Sequence, residues 1–411
     1  FVLLFFHRNI IMFNSVYLLI PYLCGVSKLT KPEMEFLLDG ITSITWQQIV
    51  MWITGGLLIY LAIDRKLEPP LLLPMGFGAI LVNLPLSGVL NQTLPGIGEV
   101  RGIIDWLFSV GIEASEAMPI LLFIGIGAMI DFGPLLSNPR LLLFGAAAQF
   151  GIFATVIIAT LLGFDLRDAA SIGIIGAADG PTSILVSQVL KSQYIGPIAI
   201  AAYSYMALVP IIQPFAIRLC TTDKERKIRM KYNPKSVTPL TRILFPIVTT
   251  IIAGLVAPAS IALVGFLMFG NLVRECGVLR SLSESAQKEL VNLITLLLGI
   301  TIAASMKAES FVSLQTILIM LLGLVAFIFD TMAGATFARF LNLFLKEKIN
   351  PMVGAAGISA FPMSSRVIQK MGLEADPQNH LLMHAAGANV AGQIASVIAG
   401  GVVISLVPGF M

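Results

Sequence analysis

Charged side chains are scarce in this sequence. Asp, Glu, Lys and Arg together make up 12% of 411 residues, whereas 57% are hydrophobic. Soluble domains carry about a quarter charged residues, so this chain has too little polar material to cover a globular surface. Cysteine and histidine are scarcer still, three of each. Cys24, Cys220 and Cys276 have no metal-type spacing, imply no disulfide framework and read as ordinary helix or helix-end residues. There is no phosphate-binding loop, no HExxH and no zinc-type histidine pair, so nothing points to ATP hydrolysis or to a metalloenzyme. Also lacking is the apolar–polar alternation of a membrane-spanning barrel strand.

What the sequence does have is long apolar runs, of the length needed to cross a ~30 Å hydrocarbon core. They fall at 46–63, 71–85, 117–130, 141–163, 168–190, 195–219, 243–257, 259–274, 291–305, 314–334, 351–371 and 381–408. The expected fold class is an all-α polytopic membrane protein. Residues 278–290 (VLRSLSESAQKEL) read as an amphipathic connector along the interface. No loop is long enough to build a soluble core, so 34–411 is expected to be one membrane domain. Asp131, Asp330, Glu113 and Glu116 lie near apolar blocks and read as helix-end groups.

The net charge is only +3, but Lys224, Arg226, Lys227, Arg229, Lys231, Lys235 and Arg242 crowd one loop, 221–242. With Tyr232 its one aromatic this is no nucleic-acid patch; it fits a positive-inside loop facing the cytoplasm. The chain opens on Phe1, with His7 and Arg8 in apolar surroundings. A signal peptide or an extra span would share these features, but Met34 stands as a natural start, and 1–33 is read as an upstream extension of no assigned function.

Two apolar blocks are interrupted alike. SIGIIGAADGPTSILVSQVL (171–190) breaks at Asp179-Gly180-Pro181, and MVGAAGISAFPMSSRVIQKM (352–371) breaks at Ser359-Ala360-Phe361-Pro362. With Pro181 set on Pro362, Gly173 falls on Gly354 and Gly176 on Gly357, all 181 positions apart. The flanks LLFIGIGAMIDFGPLL and LLLGITIAASMKAESF precede the breaks at nearly the same distance. The pattern implies a duplicated unit, roughly 115–220 and 290–408, in inverted repeats whose broken helices or re-entrant hairpins meet near the midplane. Gly/Pro-interrupted segments in two halves point to a transporter-type site; two Pro-kinked packing helices are the plainer alternative.

Asp179 sits within an apolar run, where an unpaired carboxylate costs at least about 2.5–3.5 kcal/mol. Pro181 cannot continue the hydrogen-bond ladder and Gly180 tolerates unusual dihedrals, so carbonyls near 176–179 are freed. Backbone groups at that depth must be satisfied by protein, water or an ion. A carboxylate plus freed carbonyls is a hard-oxygen cage suited to Na⁺; pairing with a basic side chain is the alternative. In the second break Ser359 offers a hydroxyl, and Arg366, about one turn past Pro362, suits an anion unless it snorkels or pairs with an acid. Asn350 and Lys348 stand just ahead. Tyr203, Ser204, Tyr205 and Gln213 in one following run, and His384, Asn389 and Gln393 in the other, are further polar candidates. Taken singly, each is more often interhelical glue than an ion ligand.

These strings resemble the β subunits of biotin-dependent, sodium-pumping decarboxylases, the membrane carboxybiotin decarboxylases of oxaloacetate, methylmalonyl-CoA and glutaconyl-CoA decarboxylase complexes. The resemblance runs from Met34 to the C-terminus and is carried by 125–155, 169–190, 201–214, 348–367 and 381–396. It implies that Asp179 and Asn389 share one sodium site, and that Ser359 and Tyr205 serve a second sodium site or proton delivery. It further implies that Asn350, Gly354 and Arg366 bind carboxybiotin, with Arg366 on the carboxylate and Tyr205 a catalytic proton relay.

The same resemblance implies a bacterial cytoplasmic-membrane location and Na⁺ as the ion moved. Carboxybiotin would be supplied by a partner biotin carrier protein, with no cofactor attached to this chain. A carboxyltransferase (α) subunit, a small γ/δ membrane subunit and homo-oligomerisation complete the expected partners, and nucleic acid is not among them. The connection over 85–105 looks short for the oxaloacetate type. A sodium-coupled secondary carboxylate transporter of similar architecture is the rival that the residues alone leave open.

Overall fold

The computed structural model describes residues 39–66, 69–94, 98–114, 117–231 and 237–410. The expectations for 1–33, with His7, Arg8 and Cys24, and for Met34, Glu116 and Lys235 lie outside the described residues. The principal helices are α1 (Trp46–Ile63), α2 (Pro69–Val82), α3 (Ala117–Met129), α4 (Leu142–Ala148), α5 (Phe150–Leu161), α6 (Leu166–Gly173), α7 (Gly180–Val189) and α8 (Ile195–Cys220). They continue as α9 (Pro239–Val256), α10 (Ile261–Glu275), α11 (Val291–Ile302), α12 (Leu314–Leu341), α13 (Pro351–Ala355), α14 (Met363–Ala375) and α15 (Leu382–Leu406).

Among the described residues six helical stretches are long and apolar enough to cross a membrane, or up to eight if two bent pairs each count as one span. The chain is an all-α polytopic membrane protein. α8 is one of the bent pairs, turning by 74° between Ile195–Met206 and Leu208–Cys220. Pro210 lacks the amide that would bond the Met206 carbonyl and crowds the preceding turn, which is the usual cause of such a kink.

Helices divide by what covers them. α9 exposes Leu240, Leu244, Ile247, Val248, Ile251, Ile252 and Leu255, a surface that only a lipid solvent tolerates. α15 is buried over most of its length, and its small residues let backbones touch. A Cβ on Gly392 would lie 2.1 Å from the Gly357 carbonyl, and one on Gly145 of α4 would lie 2.5 Å from Ala391 of α15. These contacts draw α4, α15 and the second break into one core.

Three local expectations are corrected. The segment 278–290 is no separate interfacial connector: Arg280–Ser305 is one helical stretch of 26 residues, continuing through a π-turn at Ala286–Leu290 into α11. Ala286 is buried and Leu290 packs on the core, so the apolar spacing of the span simply carries on. Asp330 is not a helix-end group; it lies inside α12 with no exposure. Between α2 and α3 a small antiparallel hairpin forms, β1 (Asn91–Leu94) with β2 (Gly98–Arg101), where no strand is expected. Asp131 does lie at a helix end, next to Arg242, and Cys220 and Cys276 sit at the ends of α8 and α10.

Candidate functional site

The first break is built by local backbone rules. α6 tightens into a 3₁₀ turn at Ile174–Ala177, Ala178 turns left-handed (φ 52°, ψ 45°), and Asp179 is extended (φ −125°, ψ 95°) as the N-cap of α7. Pro181 stands in the first turn of α7, where a missing amide proton costs nothing. The Asp179 carboxylate is buried at 4% exposure. Its Oδ2 accepts from Thr182 Oγ1 at 2.7 Å, Ser396 Oγ at 3.1 Å and Gln393 Nε2 at 3.3 Å; Oδ1 accepts only from Thr182 N, at 3.5 Å. None of these partners is a cation.

The second break begins after α13, passes through Ser359 and the cis Phe361–Pro362 bond, and restarts as α14. The two breaks touch. Ser359 donates its backbone N–H at 3.1 Å and its hydroxyl at 2.7 Å to the Ala177 carbonyl. Asn389 on α15 donates from Nδ2 to the Ile358 carbonyl at 2.6 Å, while its Oδ1 is buried and has no hydrogen-bond partner among the described residues. Asn389, Gln393 and Ser396 follow at i, i+4 and i+7, so one face of α15 addresses the second break with its first member and Asp179 with the other two.

α8 tends the second break in a similar way: Gln213 Nε2 donates to the Ala355 carbonyl at 3.0 Å and to Ser364 Oγ at 2.6 Å, leaving Oε1 without a partner among the described residues. The two tyrosines of α8 part company. Tyr203 is fully buried with its ring against Gly180, where a Cβ would come within 2.3 Å of it, and its hydroxyl has no partner among the described residues. Tyr205 instead donates to the Met320 carbonyl on α12, with its ring near Gly323. Ser359 and Asn389 are thus gathered around the meeting point of the breaks, Asp179 is linked to it through α15, and Tyr205 packs across Gly323 from Ile175 of the first break while its hydroxyl is engaged by Met320.

Arg366 lies in the first turn of α14 with an exposed side chain, and no carboxylate among the described residues pairs with it. The far end of α14 is marked by the Arg218–Glu374 and Arg229–Asp376 pairs, close to the basic loop. Arg366 is ten residues before Asp376, about 15 Å along the helix axis from that end. Asn350 and Gly354 make backbone contacts. Asn350 is fully buried, donating from Nδ2 to the Arg226 and Ile228 carbonyls at 2.9 and 2.8 Å and accepting from Met352 N at 3.0 Å. Gly354 lies so close to α12 that a Cβ would meet the Gly334 carbonyl at 2.1 Å.

The basic loop is fastened by its own polar contacts. Arg229 bonds both oxygens of Asp376, which, with the Gln378 N–H, holds that carboxyl below its usual range. Burial alone would raise the Glu225 carboxyl, but the Thr222 amide and hydroxyl and the Arg339 guanidinium outweigh it and hold it low.

Thr182 and Ser396 were not anticipated from the sequence. Thr182 is three residues beyond the N-cap Asp179, the position a capping carboxylate reaches. Ser396 continues the stripe of Asn389 and Gln393, and helical spacing could have found it.

Residues 47–407 match the family model of the Na⁺-transporting oxaloacetate decarboxylase beta subunit. The chain belongs to that family. It is 46% identical over 384 residues to the methylmalonyl-CoA decarboxylase subunit beta of Propionigenium modestum, covering 89% of this chain and 96% of the relative. With the glutaconyl-CoA decarboxylase subunit beta of Acidaminococcus fermentans it shares 47% over 371 residues, covering 90% and 96%. With the oxaloacetate decarboxylase beta chain of Klebsiella pneumoniae it shares 44% over 420 residues, covering 90% and 97%. The longer alignment at equal coverage of this chain means that the Klebsiella protein carries insertions that are missing here, as they are largely missing from the two acyl-CoA relatives.

Proposed function

We propose that the chain is the carboxybiotin decarboxylase subunit of a biotin-dependent complex in the bacterial cytoplasmic membrane, coupling carboxybiotin cleavage to Na⁺ export. The observation that carries this is the contact of Ser359 with the Ala177 carbonyl, which joins two broken segments inside a membrane protein beside the unpaired Asn389 oxygen. The units over 115–220 and 290–408 are taken as the two halves of the pump.

Na⁺ is the cargo. Asp179 supplies negative charge and Asn389 Oδ1 a neutral oxygen for one site, in line with the hard-oxygen preference of small cations. Ser359 Oγ and the Ala177 carbonyl offer oxygens for a second, and Tyr205 would join it only by leaving Met320. Occupied and empty sites must favour different conformations for coupling, and differential binding is sufficient. Outward movement costs about 2.3 kcal/mol per 100 mV for each ion, so it must be tied to the exergonic cleavage.

Carboxybiotin, brought by a biotin carrier protein from the face with the basic loop, is bound through its carboxylate by Arg366, whose guanidinium has no competing acid among the described residues. Asn350 and Gly354 shape this approach indirectly, by anchoring the loop carbonyls and by seating α13 on α12. Cleavage breaks the N–CO₂ bond, releases CO₂ and leaves a nitrogen that takes up a proton, so exclusion of water and a nearby donor both favour it. Tyr205 is assigned to proton delivery, with the Tyr203 hydroxyl the nearer phenol to the first break. A carboxyltransferase subunit selects the acid, and a small membrane subunit and further copies of this chain complete the assembly.

Purified protein in liposomes tests the assignment. Cleavage of free carboxybiotin that requires Na⁺ is expected. Sodium-driven carboxylate uptake without CO₂ release would identify a secondary transporter instead.

A further inference from the structure

A cleft of about 620 Å³ opens on the face of the basic loop, lined by Arg140, Lys231, Lys346, Lys348 and His384, with Glu347 the one carboxylate among them. A neighbouring cavity of about 480 Å³ shares Arg140, Lys231, Glu347 and His384 and extends to Met383. Among the described residues no carboxylate lies within ion-pair distance of Arg140, Lys231 or Lys346, although Arg226, Arg229 and Arg339 nearby are all paired. Three cations converge on a concave surface whose one lining carboxylate, Glu347, pairs with none of them, and that surplus of positive charge calls for an anion.

The helical stretches that edge the cleft also border an apolar groove further along. A groove of about 410 Å³ lies between α4–α5 and α15, lined by Leu142, Ala146 and Phe153 on one side and Ala395, Ile398 and Val402 on the other. His384, Ala391, Ala395, Ile398 and Val402 are spaced seven, four, three and four residues apart, one stripe of a helix. The stripe therefore starts in the basic cleft and runs along the apolar groove. Arg140 likewise directly precedes the strand of groove residues that opens at Leu142. From Leu142 to Phe153 the helix rises about 16 Å, close to half of a ~30 Å hydrocarbon core.

We propose that this is a binding site for an anionic phospholipid of the cytoplasmic leaflet, its phosphate held by Arg140, Lys231 and Lys346 and one acyl chain laid in the groove. A soluble anion would fill the cleft and leave the groove unused. A partner's apolar helix would fill the groove and leave the cations unmatched. Only a molecule with a charged head and a leaflet-length tail uses both, and basic pockets at the cytoplasmic ends of spanning helices are suited to such headgroups.

The full chain in nanodiscs of phosphatidylcholine, titrated with phosphatidylglycerol, tests this by native mass spectrometry of retained lipid and by thermal unfolding. Wild type is expected to retain phosphatidylglycerol in preference to phosphatidylcholine and to unfold at higher temperature with it. Arg140→Gln, Lys231→Gln and Lys346→Gln should each weaken that preference roughly fivefold, the worth of one cation near a charged lipid surface. Ala395→Trp should expel the lipid with all the cations intact; its side chain fills the groove, not the core. Glycerol 3-phosphate, a head without a tail, should not substitute. Equal retention of both lipids, full protection by glycerol 3-phosphate, or a disulfide from Ala395→Cys to a cysteine on a partner helix that leaves lipid retention unchanged would each overturn the proposal.

Discussion

Asp179 and Asp330 are both buried, the first in the extended break between α6 and α7 and the second inside α12, and their surroundings give them different tasks. Asp179 faces hydroxyl and amide groups that can turn toward a cation. Asp330 accepts from Ile152 N at 3.2 Å, where Gln149 interrupts the run from α4 to α5 and leaves first-turn amides without intrahelical partners. It is a cap supplied by a third helix. Asp179→Asn is therefore expected to raise the Na⁺ concentration for half-maximal cleavage by roughly tenfold or more, about 1.4 kcal/mol per factor of ten. Asp330→Asn keeps an acceptor oxygen and should retain both fold and Na⁺ response, whereas Asp330→Ala should lose about 1–3 kcal/mol of stability by thermal unfolding. A loss of Na⁺ response in Asp330→Asn would show that the cap also serves the ion. Asp179 could be found in the sequence because Gly180 and Pro181 announce the break. Asp330 could not: no neighbour marks it, and the amide it serves is 178 residues away.

At the scale of elements, the second break is held from outside by close packing and by the basic loop. Gly354 meets Gly334 backbone to backbone, so Gly354→Ala forces α13 away from α12. A thermal unfolding loss of about 1–3 kcal/mol is expected from such overpacking, together with slower carboxybiotin cleavage; unchanged stability and turnover would contradict the packing. The loop is tied by Arg229 to Asp376, whose folded carboxyl titrates below its ordinary value. The pair's contribution is complete above the unfolded pKa of about 3.9 and disappears as pH falls through the lowered folded value. Limited proteolysis at loop 221–231 should thus rise in the wild type only below about pH 4. Arg229→Gln should be cut already at neutral pH. Both interruptions were legible because Gly and Pro act locally. The continuation of α11 back to Arg280 was not, because Ser and Glu in 281–289 suggest an interface until packing against α3 and α10 is known. Nor could sequence spacing tell that Tyr203, not Tyr205, lies against Gly180, since that depends on the bend of α8.

At the scale of the whole molecule, Arg140, Arg229, Lys231, Lys346 and Lys348 share one cleft, apolar side chains of α9 face outward and oxygen-bearing side chains lie where the breaks meet. That distribution is what a pump needs: an entry face for an anionic group, a lipid-compatible rim and an interior able to take a cation out of water. Under the function proposed above, Na⁺ sits between Asp179 and Asn389 and binds independently of the group that holds carboxybiotin. The most direct test is equilibrium ²²Na⁺ binding to the purified full chain, compared across wild type, Asp179→Asn, Asn389→Ala and Arg366→Ala. Saturable binding is expected in wild type and in Arg366→Ala, with Arg366→Ala inactive in carboxybiotin cleavage and the other two variants strongly weakened in binding. Wild-type Na⁺ affinity in both Asp179→Asn and Asn389→Ala would contradict the account.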